Sequence, residues 1–248
     1  MLGLFDTHAH FEGTEQETLS LIERAHRSGV KRILAVGGSE SLDSGALRAK
    51  ALSKDVIIDV ALGRDRDQYS KPCPKPDPSA VAIGEIGLDY HYDLEHRDEQ
   101  CELFAKQLEY AREIDKPVII HTREADDDTL GILREIPSRG VIHSFTGSPK
   151  FCRSLLDLGF MISFSGIVTF RAADNVRQSQ AVVPDESILI ETDTPFLAPV
   201  PMRGNPNEPA FIVHTAKFLA DLRNMRYEDF ADLTYINAHK TFDLKECE

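Results

Sequence analysis

His8 and His10 stand two residues apart at the end of the chain's first apolar run, which begins Leu2-Gly3-Leu4-Phe5. Residues two apart in a strand point the same way, so both imidazoles would face one side. Converging neutral ring nitrogens are what a divalent metal ion requires. Later apolar runs deliver four more ligand-type residues, Glu85, His121, His143 and Asp193. Four histidines and two carboxylates exceed the needs of one tetrahedral site. They suit two ions sharing a bridging carboxylate, an arrangement that activates water and clamps both oxygens of a displacement.

Something must hold six such residues at one place. Apolar, β-branched runs over 4–8, 32–36, 56–62, 81–86, 118–121, 141–145, 160–164 and 188–191 read as strands. Amphipathic segments over 15–28, 42–53, 96–114, 126–136, 149–158 and 172–182 read as intervening helices, and 209–223 and 227–239 as two more at the end. Within the first, Leu19, Ile22 and Ala25 show the helical spacing. Strands alternating with helices predict a parallel sheet, and eight of them a closed (β/α)8 TIM barrel; a doubly wound open sheet is the runner-up. Catalytic groups of such barrels come from the C-terminal ends of strands. There His8 and His10 end the first strand, Glu85 the fourth and His121 the fifth; His143 lies in the sixth and Asp193 follows the eighth. Alternation adds Asp6 beneath His8, Arg123 beyond His121 and Glu191 beneath Asp193. The third connection breaks the rhythm: alternating prolines over 72–78 cannot propagate a helix, so a Pro-rich loop is expected in place of the crossover helix. No linker divides the chain, which reads as a single domain over 1–248.

The formal net charge is -13, and no Lys/Arg run is present. A module that grips duplex nucleic acid presents a basic surface, so that class is disfavoured. Action on nucleic acid would fall to an enzyme meeting single-stranded or free ends, with metal supplying positive charge. No apolar stretch reaches bilayer length, and the N-terminus lacks a basic region or cleavage site, so a cytoplasmic location is expected and no membrane partner. Four scattered cysteines, Cys73, Cys101, Cys152 and Cys247, lack CxxC spacing and read as reduced thiols. Gly37-Gly38 is not a phosphate-binding loop and Phe164-Ser165-Gly166 is not a nucleophile elbow, which excludes a dinucleotide cofactor and serine hydrolysis. His26, His91, His96, His214 and His239 read as structural or surface residues.

The pieces Asp6-Thr7-His8-Ala9-His10, Gly84-Glu85-Ile86-Gly87-Leu88-Asp89-Tyr90, Ile120-His121-Thr122-Arg123-Glu124-Ala125 and His143-Ser144-Phe145-Thr146-Gly147 occur in order. They are followed by Ser163-Phe164-Ser165-Gly166, Glu191-Thr192-Asp193-Thr194-Pro195-Phe196-Leu197-Ala198-Pro199, Arg203-Gly204 and Asn207-Glu208-Pro209. In this order and spacing the chain resembles the TatD family of metal-dependent deoxyribonucleases, a branch of the amidohydrolase-like barrels. The resemblance implies that His8, His10 and Asp193 hold one metal, His121 and His143 the second, and that Glu85 bridges them. It implies two divalent ions, with magnesium, manganese and zinc not distinguished, and DNA as substrate. Asp193 would accept the nucleophile's proton, Glu191 would orient water or a ligand, and Arg123 and Arg203 offer forked donors to phosphate. No obligate protein partner is implied.

The chain departs from the family pattern where a substrate would be held. A Gly-x-His-Pro segment is usual after the third strand, but Leu62-Gly63-Arg64-Asp65 stands here; Asn205-Pro206 stand where further basic residues are usual, and Lys240 where arginine is common. Two other readings follow. One keeps the metals and changes the bond, as in a D-aminoacyl-tRNA deacylase or another amide or ester hydrolase. The other is a catalytically silent metal-binding barrel.

Overall fold

The computed structural model describes residues 1–71 and 79–244. Eight strands follow one another around the molecule: β1 (Leu4–Ala9), β2 (Val30–Gly38), β3 (Ile57–Arg64), β4 (Ala82–Asp89), β5 (Val118–Arg123), β6 (Gly140–Ile142), β7 (Met161–Phe164) and β8 (Ile188–Ile190). Each pairs in parallel with the next, so spatial order equals chain order. The helices alternate with them: α1 (Glu15–Arg27), α2 (Glu40–Leu52), α3 (Arg97–Glu113), α4 (Asp126–Glu135), α5 (Pro149–Asp157), α6 (Asp174–Gln180), α7 (Ile212–Leu222) and α8 (Tyr227–Thr241). The result is the expected (β/α)8 barrel, nearly closed.

Local signals set the helix starts. Thr14 accepts the Glu17 N–H while the Glu17 carboxylate receives the Thr14 N–H, a capping box that opens α1. Ser148 caps α5, with Pro149 in its first turn. Between β3 and β4 the described residues contain a single 3-10 turn, Arg66–Gln68, in place of an α-helix. The proline-rich run over 72–78 lies outside the described residues, as do Cys73 and Cys247. No described helix is long and apolar enough to cross a membrane.

Two apolar clusters fill the fold. The larger joins the outward residues of the strands, such as Ile33, Val60, Ile86, Ile120 and Ile162, to the helices. The smaller lies within the barrel: Phe5, Leu34, Val36, Ala61, Ala82, Ile119, Val141 and Leu189, with Ala238 and Phe242 from the end of the chain. These side chains make the lower layers of a packed interior, leaving the upper layer for the polar residues above them.

The seam between first and last strands closes by a different route. The Asp193 N–H donates to the His8 carbonyl at 2.9 Å and the His10 N–H to the Thr194 carbonyl at 2.9 Å. Below them the buried Asp6 carboxylate receives the Thr192 N–H at 2.9 Å and its hydroxyl at 2.6 Å. The barrel therefore closes through the residues that carry His8, His10 and Asp193.

Candidate metal centre

Alternation carries two ligands, His121 and His143, and the carboxylate Glu191 to the mouth as expected. Ile119 lies in the interior, so His121 above it does too; Val141 precedes His143 and Leu189 precedes Glu191 in the same way. Two strands need more than alternation. In β1, Phe5 belongs to the interior and Ala9 to the outer cluster, although they stand an even four positions apart. A register shift between Asp6 and Ala9 reverses the alternation and turns His8 and His10 inward. In β4, Ala82 is interior and Ile86 and Leu88 are outer, and a shift between Ile83 and Ile86 aims Glu85 at the axis. Glu85 thus stands within a strand that runs on to Asp89, where the sequence suggested a strand end. His143 falls one residue past β6, beyond its last paired residue, Ile142.

All six expected ligands meet. Glu85 divides its carboxylate between two pairs of histidines. Its Oε2 lies 3.4 Å from His8 Nε2 and 3.5 Å from His10 Nε2. Its Oε1 lies 3.1 Å from His143 Nε2 and 3.2 Å from His121 Nδ1. Asp193 brings Oδ1 to 3.9 Å from both His8 Nε2 and His10 Nε2, completing the first half. Asp193 has φ 60°, the left-handed region that aspartate tolerates better than most residues, and this turns its side chain back over the strand ends.

The outer ring nitrogens show that these donors suit metal. His10 Nδ1 is 2.8 Å from the Val36 carbonyl, an acceptor that requires an N–H there and leaves the Nε2 lone pair facing Glu85. His121 Nε2 meets the Asp89 carboxylate at 3.0 Å, and His143 Nδ1 meets Glu191 at 3.2 Å, so their inward nitrogens are likewise left as acceptors. Buried His8 Nδ1 has no hydrogen-bond partner among the described residues. Donor triads of His8, His10 and Glu85, and of Glu85, His121 and His143, each lie within 4.8 Å. The residues fit a pair of divalent cations with Glu85 between them.

Without cations the cluster is electrostatically crowded. Burial and the neighbouring His143 push His8 down to about 4. Burial would do the same to His10, but Glu85 and Asp193 lift it to about 9. His143 rises well above its ordinary value against burial, because Glu85 and Glu191 face it from two sides. Glu85 stays well below the carboxylate range despite burial, held there by His143, His10 and His121. Burial raises Asp193 to about 7, against the pull of His143 and His10.

Glu191 is fully buried, and its carboxylate lies 3.2 Å from His143 Nδ1. Arg123 lies over the Tyr92 ring at 4.9 Å and lines a neighbouring cavity of ≈ 740 Å³ between the loops after β4, β5 and β6. Arg203 stacks on Phe170 at 3.8 Å, across the mouth. Neither pairs with the nearby acids: Glu124 binds His91 and Glu208 binds Arg24. His91 and His96 are partly exposed and bound to Glu124 and Asp93, consistent with structural roles. Sequence reasoning missed Asp89, which meets His121 at 3.0 Å, and the pair Asp65-Arg66, which lines the candidate metal cavity of ≈ 240 Å³. Asp89 was signalled by its parity with Glu85 and Gly87, and Arg66 by the departure after the third strand.

A family profile described as TatD related DNase matches residues 5–243. The uncharacterized metal-dependent hydrolase YabD of Bacillus subtilis is 35% identical over 252 residues, covering 96% of this chain and 98% of that protein. The similarly named YcfH of Escherichia coli K12 is 38% identical over 258 residues, covering 97% and 96%. The crystal structure of the TatD homologue YjjV from Escherichia coli K12 superposes with a TM-score of 0.87 at 28% identity, covering 99% of this chain and 100% of that one. Match, fold and converging ligands agree: the chain belongs to the TatD family of metal-dependent hydrolases.

Proposed function

We propose that this hydrolase is a deoxyribonuclease that cleaves phosphodiester bonds in single-stranded or free DNA ends in the cytoplasm. The observation that carries the reading is the Glu85 carboxylate shared between His8–His10 and His121–His143. Two divalent cations held there would lower the pKa of a water and neutralise charge on the oxygens of an in-line displacement. Asp193, placed beside the His8–His10 half of the site, would take a proton from the attacking water and return it to the leaving oxygen. Glu191 holds the His143 ring through Nδ1, and Asp89 does the same for His121.

The rim supports a nucleic-acid substrate. Tyr92 is 73% exposed and Phe196 57% exposed, so each offers a face on which an unpaired base can stack. Arg123 and Arg203 are Arg–aromatic pairs near the mouth, and their forked donors suit phosphate oxygens. The free thiols of Cys101 and Cys152 support a reducing compartment.

The test is hydrolysis of a labelled single-stranded oligonucleotide with magnesium or manganese, run beside a mischarged aminoacyl-tRNA. Turnover of DNA that chelation abolishes, and that Glu85→Gln lowers at least about a hundredfold, is the expected result. Turnover of the ester alone would replace the nuclease with the deacylase. Cation binding with neither activity would leave the silent barrel.

A further inference from the structure

Arg66 is the sole lysine or arginine among the described residues lining the ≈ 240 Å³ metal cavity, which it shares with His10, Glu85, His121, His143 and Asp193. It is delivered by rigid backbone. The Asp65 N–H donates to the Gly38 carbonyl at 2.8 Å, tying the end of β3 to the end of β2. The Asp65 carboxylate then caps the 3-10 turn by accepting the Arg66 N–H at 2.7 Å. The same carboxylate receives Arg66 Nη1, so the guanidinium is anchored on its own side of the pocket.

Its other contacts are looser. Nη1 lies 3.5 Å from Glu85 Oε1 and Nε 3.5 Å from Asp89 Oδ2, beyond the ~2.7–2.9 Å of a strong charge-assisted hydrogen bond. Both acceptors have closer partners: Glu85 Oε1 meets His143 at 3.1 Å, and Asp89 meets His121 at 3.0 Å. A guanidinium carries five N–H donors in a planar fork. Asp65 takes part of that fork, and no described residue accepts a hydrogen bond from Nη2. With Glu85 committed to cations, the donors that Asp65 does not take face the cavity, with Asp89 the remaining carboxylate beside them at 3.5 Å.

We propose that Arg66 is the residue with which this pocket grips the anionic group of its substrate, which makes the site selective for a phosphoryl substrate over a neutral ester or amide. The proposal deepens the phosphodiesterase reading and rests on it. The guanidinium fork matches two phosphoryl oxygens and finds no second anionic oxygen on a neutral acyl group. Its cavity, at ≈ 240 Å³, holds a phosphate and part of a sugar rather than a duplex, in keeping with a single-stranded or terminal bond.

The alternative is that Arg66 merely neutralises and places Glu85. Two calorimetric titrations separate these roles: manganese into the metal-free protein, and inorganic phosphate into the manganese-loaded protein. Wild type, Arg66→Met and Arg66→Lys are compared, each checked for folding by circular dichroism. Arg66→Met is expected to weaken phosphate binding by about 10- to 100-fold, the range for hydrogen bonds to charged groups. Lysine, a point charge without the fork, is expected to recover part of that loss. Manganese binding should be unchanged or tighter in Arg66→Met, because a nearby cation is gone.

Equal phosphate affinity in wild type and Arg66→Met overturns the proposal, and so does a wild type that binds no phosphate. A parallel fall in manganese affinity also overturns it, since Arg66 would then serve Glu85. If the wild type cleaves no DNA while phosphate affinity still depends on Arg66, the nuclease reading fails and the anion site stands. If it cleaves DNA and Arg66→Met binds phosphate as well as wild type, the reverse holds.

Discussion

A single carboxylate organises this site. Each Glu85 oxygen faces its own pair of imidazoles, so removing the side chain would leave three buried rings and the half-buried His121 without their common partner. Proton balance follows from the same contacts. The metal-free His10 has its folded pKa raised from 6.5 to about 9, so its ion pair with Glu85 stabilises the fold fully below 6.5 and is lost as pH rises through 9. A cation needs the neutral ring, and His143 is shifted in the same direction. Between pH 7 and about 9, metal binding should therefore expel protons, with affinity rising up to about tenfold per pH unit for each proton released. Manganese titrations in buffers of different ionisation enthalpy count those protons. A count near zero at pH 7 would contradict the assignment.

At the scale of elements, the site depends on two strand irregularities and on the close pairing of β4 with β5. Gly87 pairs with His121 and has φ 139°; a Cβ placed there would lie 1.9 Å from the His121 carbonyl oxygen. A Cβ also makes that backbone conformation strained. Gly87→Ala is thus expected to cost about 2–4 kcal/mol and to push β5, with His121, away from Glu85. Urea unfolding of the metal-free protein reads the first effect, and weakened manganese affinity reads the second. Full retention of both would mean that the β4–β5 contact is softer than its geometry indicates.

At the scale of the molecule, metal and fold are linked through the barrel seam. The hydrogen bonds that join the last strand to the first run between the backbones of His8, His10, Asp193 and Thr194, and Asp6 locks Thr192 below them. Cations that bind His8, His10 and Asp193 staple this seam. At a hundredfold excess over Kd they should add about 2.7 kcal/mol, which for a domain of this size raises Tm by roughly 5–10 °C. Scanning calorimetry with manganese and with a chelator checks the shift. An unchanged Tm would separate the ligands from the fold. Asp6→Asn in the same comparison would test the seam without replacing a ligand side chain, since burial already raises the Asp6 carboxyl to about 8.

The sequence by itself determined which residues could ligate metal and which elements carry them. Apolar runs separated by amphipathic ones specify alternating strands and helices, and ligand-type residues at the ends of those runs are visible without coordinates. The capping box at Thr14 and the serine–proline start of α5 belong to the same local class, because their partners lie within a few residues. Tertiary structure alone decided which way β1 and β4 point their ligands. A register shift depends on pairing with a neighbour, and strict alternation along one strand cannot report it. It also decided the company of each group: Glu191 behind His143, Asp89 behind His121, and Arg66 brought beside Glu85 from another strand. Those contacts join residues far apart in the chain, and the parallel pairing of strands around the barrel makes them neighbours.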